Sequence, residues 1–303
     1  MKQIVFLFPG QGAQKPGMGR DIYEAFPEAR KVFDLFPEVR DLCFNGTSAD
    51  LKQTSATQPA IYLFSMAVNA VLASAGLLPA AAAGHSLGEY SALASAGFFG
   101  LETGMTLVAE RGRLMQEAGN KIPGGMAAII GLDDAKVREI CAGLDGVVEA
   151  VNFNAPGQVV VSGDAGAVDK SLDIFKEKGA RMAIELEVSG AFHSSLLAGV
   201  GKTYSAFLAG RTWDQPRCKV AANVDAEYYG SPLELQDKLS RQIHSPVLWV
   251  DIVKKFAAEG FKEYVEVGPG SALKGLLKKI DPSLSVDTTG SKTELEAAIA
   301  KHR

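Results

Sequence analysis

The sequence predicts an α/β protein built on a mainly parallel sheet, with a second, smaller unit inserted in the chain. Two observations carry this. Short apolar runs at residues 4–8, 79–84 and 263–267 each end in a glycine-rich turn. Between them, residues 126–188 read as strand, helix, strand, strand, helix, strand.

Ile4–Phe8 is a continuous apolar run followed by Pro9-Gly10-Gln11-Gly12-Ala13-Gln14, which suits a buried parallel strand whose C-terminal end faces a ligand. No Asp, Glu, Lys or Arg occurs between Lys52 and Glu89. Gln58-Pro59, Asn69, Gly76 and Pro79 break that stretch and its middle is mainly alanine, so residues 60–75 are expected to be a helix buried on all sides rather than a membrane span. Residues 79–84 read as the next strand, 86–96 as a helix, and 102–118 as an amphipathic helix. In the middle segment, 126–130, 147–152, 158–162 and 182–188 are expected strands, with a turn at 154–157 and helices at 133–144 and 164–178. In the last of these strands Met182, Ile184, Leu186 and Val188 alternate with Ala183, Glu185 and Glu187, which predicts the first set inward and the second wet. The order βαββαβ is the ferredoxin-like pattern. The expected division is therefore a large core of residues 1–121 and 190–303 and a small ferredoxin-like subdomain of 122–189. Residues 263–267, Gly268-Pro269-Gly270 and a helix to about Ile280 return to the large core.

The 303 residues are 47% hydrophobic and 22% charged, a globular make-up that excludes disordered and fibrous classes. The net charge is −4 with no basic run, which argues against nucleic acid as a partner. Cys43, Cys141 and Cys218 are too few and too far apart for a disulfide framework or a zinc site. The opening apolar run is shorter than a secretory core segment. A soluble cytoplasmic protein, a monomer by default and without a bound metal, is the expectation.

Gly84-His85-Ser86-Leu87-Gly88 fits the nucleophile elbow, a strand–turn–helix that presents a serine above a parallel sheet, as in α/β-hydrolase-like cores. The pattern alone is weak, because the chain has 32 glycines and a capping serine would fit it too. Its apolar entry and small-residue exit strengthen it. The helix N-terminus and the Leu87 N–H would face an oxyanion formed beside Ser86. A serine nucleophile needs a base, and there are four histidines. His302 is terminal and His85 is the elbow's own neighbour. His193, in Ser189-Gly190-Ala191-Phe192-His193-Ser194-Ser195, stands where the chain returns from the inserted unit, and His244 precedes Ser245-Pro246; spacing leaves both open. Arg111 falls in the middle of the apolar stripe Leu107, Val108, Leu114, Met115 and Ala118. An inward guanidinium requires an anion, either an internal acid such as Glu89 or the carboxylate of a substrate.

Gly10-Gln11-Gly12-Ala13-Gln14, Gly84-His85-Ser86-Leu87-Gly88-Glu89-Tyr90 and Arg111-Gly112 resemble the malonyl-CoA:acyl-carrier-protein transacylase family. So do Asn152-Phe153-Asn154-Ala155-Pro156-Gly157-Gln158, Gly190-Ala191-Phe192-His193-Ser194, Asn223-Val224-Asp225, Gln242 with Ser245-Pro246-Val247, and Glu266-Val267-Gly268-Pro269-Gly270. The resemblance runs in order from residue 4 to about 280. It implies Ser86 as nucleophile, His193 as base and Gln242 as the residue whose carbonyl orients that base. It further implies an oxyanion hole from the Gln11 and Leu87 N–H groups, Arg111 on the malonyl carboxylate, and Met115, Asn154 and Phe192 in the pocket. Phe192 and Leu87 match the family's choices for malonyl over branched acyl groups. The implied partners are malonyl-CoA and acyl carrier protein with its phosphopantetheine arm, with no cofactor, in fatty-acid synthesis or in polyketide assembly. A serine thioesterase or esterase on the same elbow is the rival reading, and a non-catalytic carrier-binding module a second one. Lys274, Lys278 and Lys279, on one side of a late helix, are either a docking surface for an acidic carrier protein or a solvated face.

Overall fold

The computed structural model describes residues 3–188 and 190–303; Met1, Lys2 and Ser189, the first residue of the junction segment named above, lie outside the described residues. Two sheets organise the chain. One has the order β7-β2-β1-β8-β9, and all its neighbours are parallel. Its strands are β1 (Ile4–Phe8), β2 (Ala81–Gly84), β7 (Lys219–Ala221), β8 (Glu263–Glu266) and β9 (Ser285–Thr288). The other has the order β4-β5-β3-β6 and is antiparallel, from β3 (Gly124–Ile130), β4 (Val148–Ala155), β5 (Gln158–Asp164) and β6 (Met182–Glu185).

β1 is central in the parallel sheet and buried along its whole length, which is why its sequence is apolar without alternation. Helices on both sides bury separate apolar clusters. The charge-free stretch forms the helix Thr54–Ser74, longer at its N-terminus than the periodicity indicated. By length and hydropathy this helix passes for a membrane span, but 78% of its most apolar window is buried inside the protein. It packs on the helix Leu101–Lys121. Hence its composition reflects contact on all faces by protein.

The antiparallel sheet follows the expected element order with two differences. β4 continues to Ala155, so the turn narrows to Pro156-Gly157, where Gly157 takes φ 68°. β6 ends at Glu185, and its alternation has the opposite phase: Ala183 is buried, whereas Met182 and Ile184 are 43% and 45% exposed. The sheet is covered on one face by the helices Asp134–Ala142 and Ala165–Glu177, and Ala183 belongs to that packed face. The large side chains of this edge strand therefore sit on the open face, and the small one is the one that fits against the helices. Beyond Glu185 one further backbone bond, from Leu186 N–H to the Met126 carbonyl of β3 at 2.8 Å, holds the chain, and Leu186 and Val188 line a cavity.

A parallel bridge joins the sheets' surroundings. Phe153 N–H donates to the Val247 carbonyl at 3.0 Å, and Val247 N–H to the Val151 carbonyl at 2.8 Å.

Candidate active site

β2 ends at Gly84, the helix Gly88–Ala96 begins four residues later, and Ser86 sits in the turn between with φ 51°. That left-handed backbone is disfavoured for a serine and persists only where neighbours hold it. A Cβ at Gly84 would collide with the backbone of Gly88, and one at Gly88 with the Phe8 carbonyl, so both glycines are required by the crossing of strand and helix. Asn223, buried, grips the elbow from one side: its Oδ1 accepts from Ser86 N–H at 2.7 Å and its Nδ2 donates to the Gly84 carbonyl at 2.7 Å. From the other, Gln242 Nε2 donates to the Ser86 carbonyl at 2.8 Å.

His193 meets the serine, with Nε2 2.7 Å from Ser86 Oγ. Its Nδ1 lies 2.8 Å from the Gln242 carbonyl, which can only accept, so Nδ1 carries the proton and Nε2 presents its lone pair to the serine. Burial, and next the nearby Arg111 charge, push the imidazole down to about 3, against the upward pull of the Gln242 carbonyl. The ring is therefore neutral and able to accept a proton at neutral pH. The other histidines are engaged or placed elsewhere: His85 Nε2 is 2.8 Å from Asn154 Oδ1, His302 Nε2 is 2.8 Å from Asp287, and His244 borders two surface grooves, one of which His193 also lines, but not the cavity that holds Ser86.

Arg111 is 1% exposed. Its Nη2 donates to Ser86 Oγ at 3.1 Å and to Gln242 Oε1 at 2.9 Å, and its guanidinium lies 5.5 Å from the centre of the Tyr90 ring. Among the described residues no carboxylate lies within ion-pair distance of it, and its Nε has no partner. Glu89, the internal acid weighed as its counter-ion, is instead bound by Tyr229, Gln242 and the Asn223 backbone.

These groups open into a cavity of about 330 Å³ lined also by Gln11, Leu87, Met115 and Phe192. Among the described residues the Gln11 and Leu87 N–H groups have no acceptor. Asn154, expected in this pocket, is not in its wall. It braces His85 instead, and Asn152 supplies the lining, because register shifts in β4 at 150–152 and 153–155 re-aim its side chains. Gln58 was not anticipated: it is buried in the wall, with Nε2 3.4 Å from Met115 Sδ and Oε1 unpartnered. Asn223 stands in the sequence only as part of a motif and Glu89 only as a possible counter-ion of Arg111; the roles of both need the fold. At the rim, Lys52 pairs with Glu187. Of the late-helix lysines, Lys278 donates to the Pro282 and Leu284 carbonyls and Lys279 to Gln158, so two of the three serve the fold. Glu263, Asp287 and His302 come close enough to share a cation, but they lie on β8, on β9 and at the end of the helix Lys292–His302, and Lys301 already sits on Asp287 at 2.7 Å.

Residues 5–289 match the family described as an acyl transferase domain. The chain is 37% identical over 307 residues to the malonyl CoA-acyl carrier protein transacylase of Bacillus subtilis, covering 99% of this chain and 97% of that protein. It is 38% identical to the transacylase of the same name from Escherichia coli K12, covering 99% of each. Among solved structures it superposes on the malonyl-CoA:acyl carrier protein transacylase of Xanthomonas oryzae with TM-score 0.95 at 37% identity, over 99% of both chains. It matches equally, TM-score 0.95 at 35% identity over 99% and 100%, a malonyl-transacylase solved in complex with its type II PKS acyl-carrier protein.

Proposed function

The chain belongs to the acyl transferase domain family, and we propose that it moves a malonyl group from malonyl-CoA to the phosphopantetheine thiol of acyl carrier protein through a malonyl-serine intermediate. The observation that carries the choice of acyl group is Arg111: a buried guanidinium without a counter-ion among the described residues, donating to the nucleophile itself. A carboxylate beside Ser86 would satisfy it bidentately.

In this reading His193 Nε2 takes the Ser86 proton as Oγ attacks the thioester carbonyl. The oxyanion develops beside the Gln11 and Leu87 N–H groups. The Gln242 carbonyl keeps the imidazole in its working tautomer and is the acceptor for the proton it carries while cationic. As the tetrahedral intermediate collapses, His193 returns the proton to the sulfur of coenzyme A. The carrier thiol then enters the same cavity, loses its proton to His193 and attacks the malonyl-serine ester; as that intermediate collapses His193 hands the proton to the departing Ser86 Oγ, restoring both groups. Each half-reaction uses the same groups, which is the logic of ping-pong transfer. Met115 and Phe192 fill the wall near Arg111 and favour a small acyl chain.

The supply of fatty-acid elongation is the main reading, and similarity to the transacylase paired with a type II PKS carrier favours polyketide assembly as a second. We further propose that 122–189 forms a ferredoxin-like subdomain on an α/β-hydrolase-like core of 1–121 and 190–303. The β4-β5-β3-β6 order and the five-stranded parallel sheet support this division. Burial of the Thr54–Ser74 helix inside the protein supports a soluble enzyme, which we propose is a cytoplasmic monomer.

The test is incubation with malonyl-CoA, followed by intact mass of the protein with and without holo carrier proteins of each type. A malonyl adduct on Ser86 that is discharged onto a carrier is expected. Release of free malonate without transfer would make the protein a thioesterase, and absence of any adduct would make it a non-catalytic module.

A further inference from the structure

This inference rests on the acyl-transfer reading and adds a residue to it. Glu89 is fully buried, the second residue of the helix that follows the elbow. Its Oε1 accepts from the Tyr229 hydroxyl at 2.6 Å, and its Oε2 accepts from Gln242 Nε2 at 2.6 Å and from Asn223 N–H at 3.2 Å. All three partners are donors, and among the described residues no cation pairs with it. Gln242 in turn touches each working group: Nε2 donates to the Ser86 carbonyl, Oε1 accepts from Arg111, and the backbone carbonyl meets His193. Turning that amide over would set its NH₂ against the guanidinium and its oxygen against the carboxylate. Both contacts are repulsive, so the two buried charges together fix which way the amide points.

We propose that Glu89 is a positioning residue for acyl transfer: its carboxylate locks the Gln242 amide and, through Gln242, the places of Ser86, Arg111 and His193. The ionised form is the aligned one, because protonation removes an acceptor that Gln242 and Asn223 both use. Burial raises the Glu89 carboxyl to about 7, against the lowering contacts of Tyr229, Gln242, Asn223 and the more distant Arg111. The titratable and charged groups around it are Arg111 from the Leu101–Lys121 helix, Tyr229 from the segment after β7 with Asp225 and Lys238 beyond it, neighbouring Tyr90 with Tyr204 against its ring, and His193. Burial and the Arg111 charge hold His193 well below its usual range, which leaves Glu89 as the group expected to titrate near neutrality. With the ionised form active, the rate rises with pH across that titration.

The experiment is rapid-quench intact mass of malonyl-Ser86 formation between about pH 5 and 9 for the wild type, Glu89→Gln and Tyr229→Phe. The wild type is expected to show a rising limb near neutrality. Glu89→Gln should lose that limb and run about 10- to 100-fold below the wild-type plateau, because its amide offers donors where an acceptor is needed. Tyr229→Phe removes a contact that lowers the carboxyl, so its limb should move to higher pH. This variant keeps every group that faces the cavity and carries the test even if Glu89→Gln does not fold. A Glu89→Gln profile like that of the wild type, or a Tyr229→Phe limb that does not move, overturns the inference. Absence of malonyl-Ser86 in the wild type at every pH would instead sink the acyl-transfer reading.

Discussion

Arg111 and Glu89 carry opposite charges beneath the same serine and are held apart by one amide, that of Gln242, which accepts from the arginine at 2.9 Å and donates to the glutamate at 2.6 Å. Direct contact would have neutralised the guanidinium inside the fold. Separation leaves it with a demand for an anion at the point where an acyl group arrives, and the predictions below follow from that arrangement.

Ser86→Ala removes the only group that can carry the acyl chain in this reading, so no malonyl adduct should form. His193→Ala should fold and acylate on the order of 10³-fold more slowly, since nucleophile and base act as a unit. His244→Ala, outside the cavity, should be near wild type. A reversed order between the two histidine variants would displace His193 as the base.

Arg111→Ala deletes a desolvated charge-assisted contact, for which truncation costs roughly 2–5 kcal/mol, or about 30- to several-thousand-fold in kcat/KM for malonyl-CoA. Acetyl-CoA lacks the carboxylate and should be used at least as well by the variant as by the wild type. Steady-state kcat/KM for both donors in both proteins checks this. Equal losses would make Arg111 a structural cation.

Asn223→Ala orphans the Ser86 N–H and the Gly84 carbonyl together. The loss should be about 1–3 kcal/mol of stability, read as a lower midpoint in urea at unchanged slope. Acylation should fall as well, because the strained φ of Ser86 is no longer held.

Gly88→Ala and Gly275→Ala separate packing from propensity. The first drives a methyl into the Phe8 carbonyl and should cost more than about 3 kcal/mol or prevent folding. The second meets nothing within 4 Å inside the helix Ala272–Ile280 and should stabilise by roughly 0.4–1 kcal/mol. Thermal unfolding of both variants decides.

The parts of this molecule legible in the sequence are those where one physical demand dominates. The apolar run of β1, the two glycines of the elbow and the inward phase of Arg111 could each be read locally, because burial, close approach or charge left one solution. In β6 side-chain volume points the wrong way, because the packed face of this strand has room only for Ala183. Strands β7 and β9, short and partly polar, carry no pattern strong enough to see. Asn223, Tyr229 and Gln242 come from 134 or more positions away to meet the Ser86–Glu89 turn, and periodicity says nothing about contacts of that range.

The seam at Val247 bears on how such proteins can be recombined. The base is fixed at Gln242, and five residues later the chain is bonded on both sides to β4 of the antiparallel sheet. Alignment of the proton acceptor is therefore shared property of two separated stretches of sequence. A chimaera that imports the segment 122–189 from a relative to alter acyl preference must import the stretch 242–247 with it. A graft that leaves that stretch behind joins a foreign strand to a native hinge, and its fault would appear as slow proton transfer in a protein that folds and binds normally.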